Sequence, residues 1–391
     1  MSLCGLAIDD LPVALRLVGA RFAEATVLRA SRARGRSPAR PCVPDLRSPL
    51  AVHILTGFLG SGKTTLLSRL LRDPALADTA VVINELGEVG LDHLLVDRGS
   101  EEGVVLLDSG CLCCALGNSL QETLESLHYR RQRGELPAFA RVVVETTGVA
   151  DPGPIAATLS ADSAIARHYR LGSIVTVVDA VHGGEQLERF EEARRQVAVA
   201  DRLVVSKGDL ADATAIARLD AKLAARNPHA ARLAAVDGVV AADSVIVDAP
   251  DPQALRQLAL AEDAAARGDG GAVHAHGAVV GAAAGDSHDH LDEHGIASTT
   301  LRLAAPLDWP RYADWVQWMQ RAFGGGLLRM KGAVRMADGD VRALHAVMQL
   351  FSAPCELPGL PPELGNGVIV LITQDVAPSL LDEARRRLSS A

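Results

Sequence analysis

The sequence predicts an α/β fold, with a mostly parallel sheet carrying helices on both faces and a smaller α+β unit after it. Three observations predict this. Short β-branched runs alternate with helical segments from residue 51 onward. The runs are almost continuously apolar, as strands buried on both faces must be. A Gly-, Ala- and His-containing stretch without apolar period, residues 263–297, separates this region from the C-terminal part of the chain. The chain of 391 residues is long enough for two or three domains at roughly 150 residues each.

Residues 1–48 carry eight arginines against four acids, with too much Arg, Pro and Ser to build a core, and are expected to be a disordered extension. An Arg-rich, acid-poor leader could be a transit peptide, but Asp9 and Asp10 argue against it. Strands are then expected at 51–56 (AVHILT), 80–84 (AVVIN), 103–108 (GVVLLD), 141–145 (RVVVE), 173–180 (SIVTVVDA) and 202–206 (RLVVS). Helices are expected near 63–72, 116–133, 184–199 and 210–226, which sets a first domain at 49–262. Residues 263–297 read as a His-rich linker. In the second unit, 298–391, strands are expected at 299–303, 327–336 and 367–372, with an amphipathic helix from Asp308 to Phe323 and a last helix near 377–389.

Composition narrows the function. Aromatics are 3% of the chain, too few to supply stacking platforms for single-stranded nucleic acid. A net charge of -9 gives no overall positive field for a phosphate backbone or an anionic bilayer, so neither nucleic acid nor membrane is an expected partner. The apolar runs are strand-sized, well short of the roughly 18 residues of a membrane span. Six cysteines without framework spacing fit a reducing compartment, and a cytoplasmic location is expected. Among 39 basic residues only four are lysines, Lys63, Lys207, Lys222 and Lys331. A chain this rich in Arg is expected to keep Lys where a flexible point charge is needed.

Lys63 lies in Gly57-Phe58-Leu59-Gly60-Ser61-Gly62-Lys63-Thr64, which matches GxxxxGK[ST] between a strand and a helix. Glycines let successive N–H groups turn toward phosphates, and the helix N-terminus adds a positive dipole. Gly57, Gly60, Ser61, Gly62, Lys63, Thr64 and Thr65 are therefore the expected phosphate residues, with Lys63 at the β/γ-phosphates and the Thr64 hydroxyl on Mg²⁺. An acid near Mg²⁺ should end another strand. Glu145, in Glu145-Thr146-Thr147-Gly148, is the candidate, and Gly148 could offer its N–H to a γ-phosphate. Asp179 competes as the acid, against the plainer role of a strand-end cap. No Gln is placed to orient an attacking water, so slow turnover is expected.

Lys207 lies in Ser206-Lys207-Gly208-Asp209 at the end of a late strand. This is similar to the NKxD guanine motif, with Ser in place of Asn. The Asp209 carboxylate can accept from both N1–H and the N2 amino group of guanine, a donor pair that adenine lacks.

Cys111, Cys113 and Cys114 follow the strand at 103–108 and place three soft thiols on the phosphate side of the sheet. Three thiolates with no fourth protein ligand describe an open site suited to Zn²⁺ or Co²⁺, although small buried hydrophobes or a redox pair are the alternatives. His274, His276, His288, His290 and His294, interleaved with acids, could make weak, geometry-tolerant metal sites, or be incidental to a low-complexity linker.

GFLGSGKTT (57–65), NELGEVGLD (84–92), GCLCC (110–114), ETTGVADPGP (145–154), VVDAVH (177–182), SKGD (206–209) and LLRMKG (327–332) follow one another in this order. With them the chain resembles the CobW-like metallochaperone GTPases, relatives of the hydrogenase and urease nickel-insertion GTPases, over residues 50 to about 375. The resemblance implies a P-loop NTPase domain of the SIMIBI type, GTP hydrolysis and metal at the CxCC loop. It further implies a C-terminal domain that meets a client metalloprotein, and a switch loop with Glu85 and Glu88 near nucleotide or metal. Glu145 joins Lys63 and Thr64 as the catalytic set, and delivery to a client or a cobalamin-related pathway is the expected output. A homodimer is compatible with it. Two other readings stay open: a P-loop kinase of a small molecule, which needs a substrate base and lid not found in the chain, and a non-enzymatic metal store.

Overall fold

The computed structural model describes residues 49–84, 105–108, 118–161, 164–235, 239–247, 290–291 and 295–389. The first region forms a seven-stranded sheet, every strand of it parallel to its neighbours. Its strands are β1 (Leu50–Thr56), β2 (Thr79–Asn84), β3 (Val105–Asp108), β4 (Arg141–Thr146), β5 (Tyr169–Asp179), β6 (Arg202–Ser206) and β7 (Ala231–Ala234), in the order β3-β2-β4-β1-β5-β6-β7. Central β1 pairs with β4 on one side and β5 on the other, so its carboxyl end opens between Glu145 and Thr176. Ligands of open α/β sheets bind at that edge.

Successive residues of a strand face opposite sides, and the cores follow that period. Val52, Ile54, Val142, Val144 and Ile174 face α2 (Asn118–Gln132), α3 (Pro152–Ala161), α4 (Ile165–His168) and one side of α6 (Glu191–Val199). Leu55, Val81, Val143, Val175 and Val177 face α1 (Lys63–Leu70) and the short α8 (Ala242–Val245) on the other side. Leu187 of α5 (Gly183–Arg189), Leu219 and Leu223 of α7 (Ala213–Arg226) close a third cluster over Val178 and Leu203. Apolar side chains on both faces of these strands let helices cover the sheet from either side, as the sequence reading expected.

Within this frame several elements differ from expectation. The helix expected over 184–199 is two helices, broken at Phe190, whose backbone is extended (φ -119, ψ 124). Residues 152–161 form α3 although Pro152 and Pro154 stand in its first turn, where a missing N–H costs nothing. β5 begins at Tyr169, four residues before its expected start.

The second sheet is antiparallel, in the order β12-β11-β10-β14-β9-β8. It contains β8 (His290–Leu291), β9 (Ile296–Arg302), β10 (Leu327–Arg335), β11 (Val341–Val347), β12 (Leu350–Phe351) and β14 (Gly367–Gln374), with β13 (Cys355–Leu357) also paired to β11. β9 starts at Ile296 and β8 lies inside the stretch read as linker, so the segment 263–297 is not linker throughout. One face carries α9 (Trp309–Phe323) and α10 (Pro378–Ser389), with Trp315, Met319, Met330, Leu344, Ile369 and Leu381 between them. Asp308 caps α9 by accepting from the Arg311 amide at 2.8 Å, and Pro310 follows in the first turn. From the opposite face Ile296, Leu328, Val347 and Ile372 join the core of the parallel domain.

An ion cluster lies in the same junction. Arg329 and Lys331, two residues apart on β10, face the same way and both pair with Asp201 at the start of β6, Lys331 at 2.8 Å. The second Asp201 oxygen accepts from the Ile174 amide at 2.8 Å. His345 stands opposite Lys331 across the β10–β11 ladder, and Ser298 of β9 is 3.3 Å from His229. These contacts tie the LLRMKG segment to the parallel domain.

Candidate nucleotide site

β1 ends at Thr56, and the chain turns through Gly57–Gly62 before α1 begins at Lys63. Gly57 has φ +145, and a Cβ there would stand 2.3 Å from the Val177 carbonyl oxygen, so only glycine lets the turn pass over β5. Gly62 is the N-cap of α1 in the left-handed region (φ 90, ψ 23). The Lys63 ammonium donates to the Gly57 carbonyl at 2.9 Å and the Phe58 carbonyl at 3.3 Å, folded over the loop that it would share with phosphates. An open cleft runs over this turn, lined by Gly60, Gly62, Lys63, Thr64 and Thr65 on one side and by Glu145, Thr146, Thr147 and Gly148 on the other, with Lys207 at its end.

Thr64 and Glu145 meet at the cleft floor, where the Thr64 hydroxyl donates to Glu145 Oε1 at 2.7 Å. An adjacent hydroxyl and carboxylate oxygen form a hard-oxygen pair that fits Mg²⁺. Two further hydroxyls, Ser61 Oγ and Thr147 Oγ1, are buried without a hydrogen-bond partner among the described residues. Thr147 lines the cleft, where a polyanion would satisfy it. After β4 the chain passes so close to the turn that a Cβ on Gly148 would be 2.7 Å from the Leu59 amide nitrogen. Gly148 is thus demanded by close approach and not by a special φ.

The base motif is anchored to the same turn. Ser206, standing where the guanine motif has Asn, donates from its hydroxyl to the Ser61 carbonyl at 2.6 Å. Lys207 adopts φ 56, ψ 30, which directs its ammonium back to the Gly60 carbonyl (2.7 Å) and to Asp179 Oδ2 (2.6 Å). Asp179 Oδ1 accepts from the amides of Val181 and His182 at 2.8 and 3.2 Å. Burial pushes the Asp179 carboxyl up, but the Lys207 and amide hydrogen bonds and the Lys207 charge outweigh it, and its pKa lies below the ordinary carboxylate value. Asp179 therefore acts as a cap and a partner for Lys207 and does not line the cleft. Asp209 is exposed on the turn Gly208–Leu210, where it is open to a ligand.

Cys111, Cys113, Cys114, Glu85, Glu88, His274, His276, His288 and His294 lie outside the described residues, as does the side chain of His290. Among the described residues no group of three or more His, Cys, Asp and Glu could hold a metal ion, and no helix is long and apolar enough to cross a membrane. The sequence reading missed Gln196 of α6, whose amide nitrogen donates to the Gly148 carbonyl (3.3 Å) and the Ala150 carbonyl (2.9 Å). It also missed Phe190, whose ring stacks on Phe58 of the turn with centroids 4.6 Å apart. Neither belongs to a spacing motif, so no local signal could have found them.

Residues 51–234 match the CobW/HypB/UreG nucleotide-binding domain, and residues 296–388 match the cobalamin synthesis protein CobW C-terminal domain. The zinc chaperone YjiA of Escherichia coli (strain K12) is 42% identical over 165 residues, 42% of this chain and 51% of that protein. The zinc chaperone CobW of Pseudomonas aeruginosa is 31% identical over 236 residues, 53% of this chain and 61% of that one. These alignments span between half and about three-fifths of the relatives' lengths. The crystal structure of Zn(II)-bound YjiA GTPase from E. coli has the same fold, with a TM-score of 0.54 at 25% identity, covering 87% of this chain and 98% of that one. With the nucleotide-binding and C-terminal domains both present and in order, the chain belongs to the CobW family of P-loop GTPases.

Proposed function

We propose that the protein binds and hydrolyses GTP to control the loading and delivery of a transition metal, Zn²⁺ or Co²⁺, to a client metalloprotein. The observation that carries this reading is the cleft itself, where Lys63, Thr64 and Glu145 converge at the carboxyl edge of the sheet. Thr64 and Glu145 would hold Mg²⁺, which screens the phosphate charge when bound. Lys63 would neutralise the β/γ-phosphates, and the Gly148 amide, pressed against Leu59, would meet the terminal phosphate. Asp209 would select guanine.

The metal is cargo in this scheme. β3 ends at Asp108 in the same parallel sheet, and Cys111, Cys113 and Cys114 follow it in sequence by three to six residues. Relatives named as zinc chaperones, and the Zn(II)-bound YjiA structure, support a thiophilic ion. The histidine segment would supply weaker additional sites. Phosphate release tests the reaction: with Mg²⁺ and no acceptor other than water, the protein should release phosphate from GTP well above ATP, and Lys63→Ala should abolish it. Phosphate transfer to a small molecule, with no release to water, would favour a kinase. Binding without turnover would favour a metal store.

A further inference from the structure

We propose that α6 relays the state of the nucleotide to the C-terminal sheet, with Gln196 as the positioning residue for the Gly148 loop and Arg195 as the link to β14. This rests on the reading of the cleft as a GTP site.

The two residues are neighbours on one nine-residue helix and face opposite partners. Gln196 is completely buried, and its single amide group holds two carbonyls of the loop, those of Gly148 and Ala150. Its own backbone carbonyl accepts from the Thr176 hydroxyl of β5 at 2.7 Å, which fixes the helix to the sheet beside β1. Gln196 Oε1 has no partner among the described residues, so the two carbonyl bonds alone offset the burial of this amide. A change in the Gly148 loop must either carry Gln196 with it or break both bonds.

Arg195 points away from the cleft. One of its guanidinium nitrogens, Nη1, is 3.3 Å from Asp151 at the far end of the same loop. Nε donates to Gln374 Oε1 of β14 at 3.1 Å, and Nη2 pairs with Glu191 at 3.1 Å. Gln374 Nε2 reaches back to Glu191 at 3.3 Å, closing a three-residue ring between helix and second sheet to which Asp151 of the loop is joined through Arg195. Beyond Asp151, a Cβ on Gly153 would stand 2.5 Å from Met348 Cε, so the turn between β11 and β12 rests directly on the loop's exit. At the opposite end α6 begins after Phe190, stacked on Phe58 of the phosphate turn. A single short helix therefore touches the phosphate turn, the Gly148 loop and β14. Packed elements of this kind shift as units between discrete arrangements.

The partner of the relay is the nucleotide's terminal phosphate at one end and the C-terminal sheet at the other. Arg195 is about one-third exposed, and an ion pair at such a position adds little to static stability, so its removal should leave the fold intact.

Hydrogen exchange on the full chain, with Mg²⁺ and either GDP or a non-hydrolysable GTP analogue, tests the relay. In the unmutated chain, amides in both 147–151 and 367–374 should differ between the two nucleotides. In Arg195→Ala the difference at 147–151 should persist while that at 367–374 falls at least five-fold, and Gln374→Ala should act in the same way. Gln196→Glu keeps the size of the side chain but replaces the donor with an acceptor. It should lower the ratio of GTP-analogue to GDP affinity by about 5- to 10-fold with GDP affinity unchanged, within the usual span of coupling between sites. A full nucleotide-dependent difference at 367–374 in Arg195→Ala, or an unaltered affinity ratio in Gln196→Glu, overturns the proposal. Nucleotide binding without any change at 367–374 in the unmutated chain sinks the relay alone. Failure of that chain to bind guanine nucleotide sinks the GTP reading and the relay with it.

Discussion

The ammonium of Lys207 illustrates how little freedom the site residues have. It is held by Asp179 and the Gly60 carbonyl, so the turn carrying Asp209 is fastened to the loop Gly57–Gly62. That leaves Asp209 itself exposed and able to accept two guanine donors. Asp209→Asn should lower GTP affinity by about 10- to 100-fold, the size of hydrogen bonds to a charged group, and raise affinity for xanthosine triphosphate, whose added carbonyl accepts from the new amide. Competition binding with GTP, ATP and xanthosine triphosphate measures both effects, and equal GTP and ATP affinity in the unmutated protein would remove the guanine assignment. At this scale the sequence was most legible where a motif joins residue type to a fixed spacing, as in Gly57–Thr65 and Ser206–Asp209. Asp179 was ambiguous because a strand-end carboxylate can cap or ligate, and only its amide and Lys207 bonds decide between them. Gln196 and Arg195 were silent, since the partners that give them a place in the site, Gly148, Ala150, Asp151 and Gln374, are tens to hundreds of residues away.

At the scale of elements, strands buried on both faces announced themselves as unbroken apolar runs, and β6 occupies the expected five residues, Arg202–Ser206. What was missed was decided by distant contacts. Phe190, extended between α5 and α6, stacks its ring on Phe58, and β11 (VRALHAV) interrupts its apolar period with Arg342 and His345. His345 faces the charges that join β10 to β6. Burial, and then the Arg329 charge, hold its pKa down at about 3; burial, and then Lys331, do the same for His229. For Asp201 burial pushes the pKa up, yet Arg329 and Lys331 outweigh it and keep the carboxyl well below its usual range. The signs combine. Between about pH 6.5 and 3 the unfolded chain takes up histidine protons that the folded chain refuses, so stability falls as pH falls through that window. Below about pH 3.8 Asp201 adds to the loss in the same direction. Two such histidines imply a slope of up to about 2.7 kcal/mol per pH unit, at 1.36 kcal/mol per proton. Denaturant midpoints between pH 5 and 7 should show the decline, and His345→Gln should remove about one proton from the slope. A flat profile would mean that the junction opens before the rest of the chain unfolds. Asp201→Asn, which leaves Arg329 and Lys331 buried without their carboxylate, should cost about 3–5 kcal/mol at pH 7.

For the whole molecule, a parallel sheet with its cleft at the carboxyl edge is joined to an antiparallel sheet through a shared apolar core and the Asp201 cluster. Six strands of the parallel sheet were foreseen from their apolar runs, and β9, β10 and β14 of the antiparallel one. The junction of the two sheets was not, because Ile296, Leu328, Val347 and Ile372 look like any apolar strand residues until the two surfaces meet. The proposed nucleotide cleft and β3, which Cys111, Cys113 and Cys114 follow in sequence, belong to one sheet. The proposed function requires nucleotide state and metal affinity to be coupled, typically by about 1–3 kcal/mol, or roughly 5- to 150-fold. Titration of Zn²⁺ or Co²⁺ into the full chain, with Mg²⁺ plus a non-hydrolysable GTP analogue and again with GDP, measures it directly. Tight-site affinities should differ by at least about five-fold, the difference should be lost in Lys63→Ala, and the tight site should be lost in Cys113→Ser with Cys114→Ser. Identical affinities in the two nucleotide states would contradict it and leave a metal store in its place.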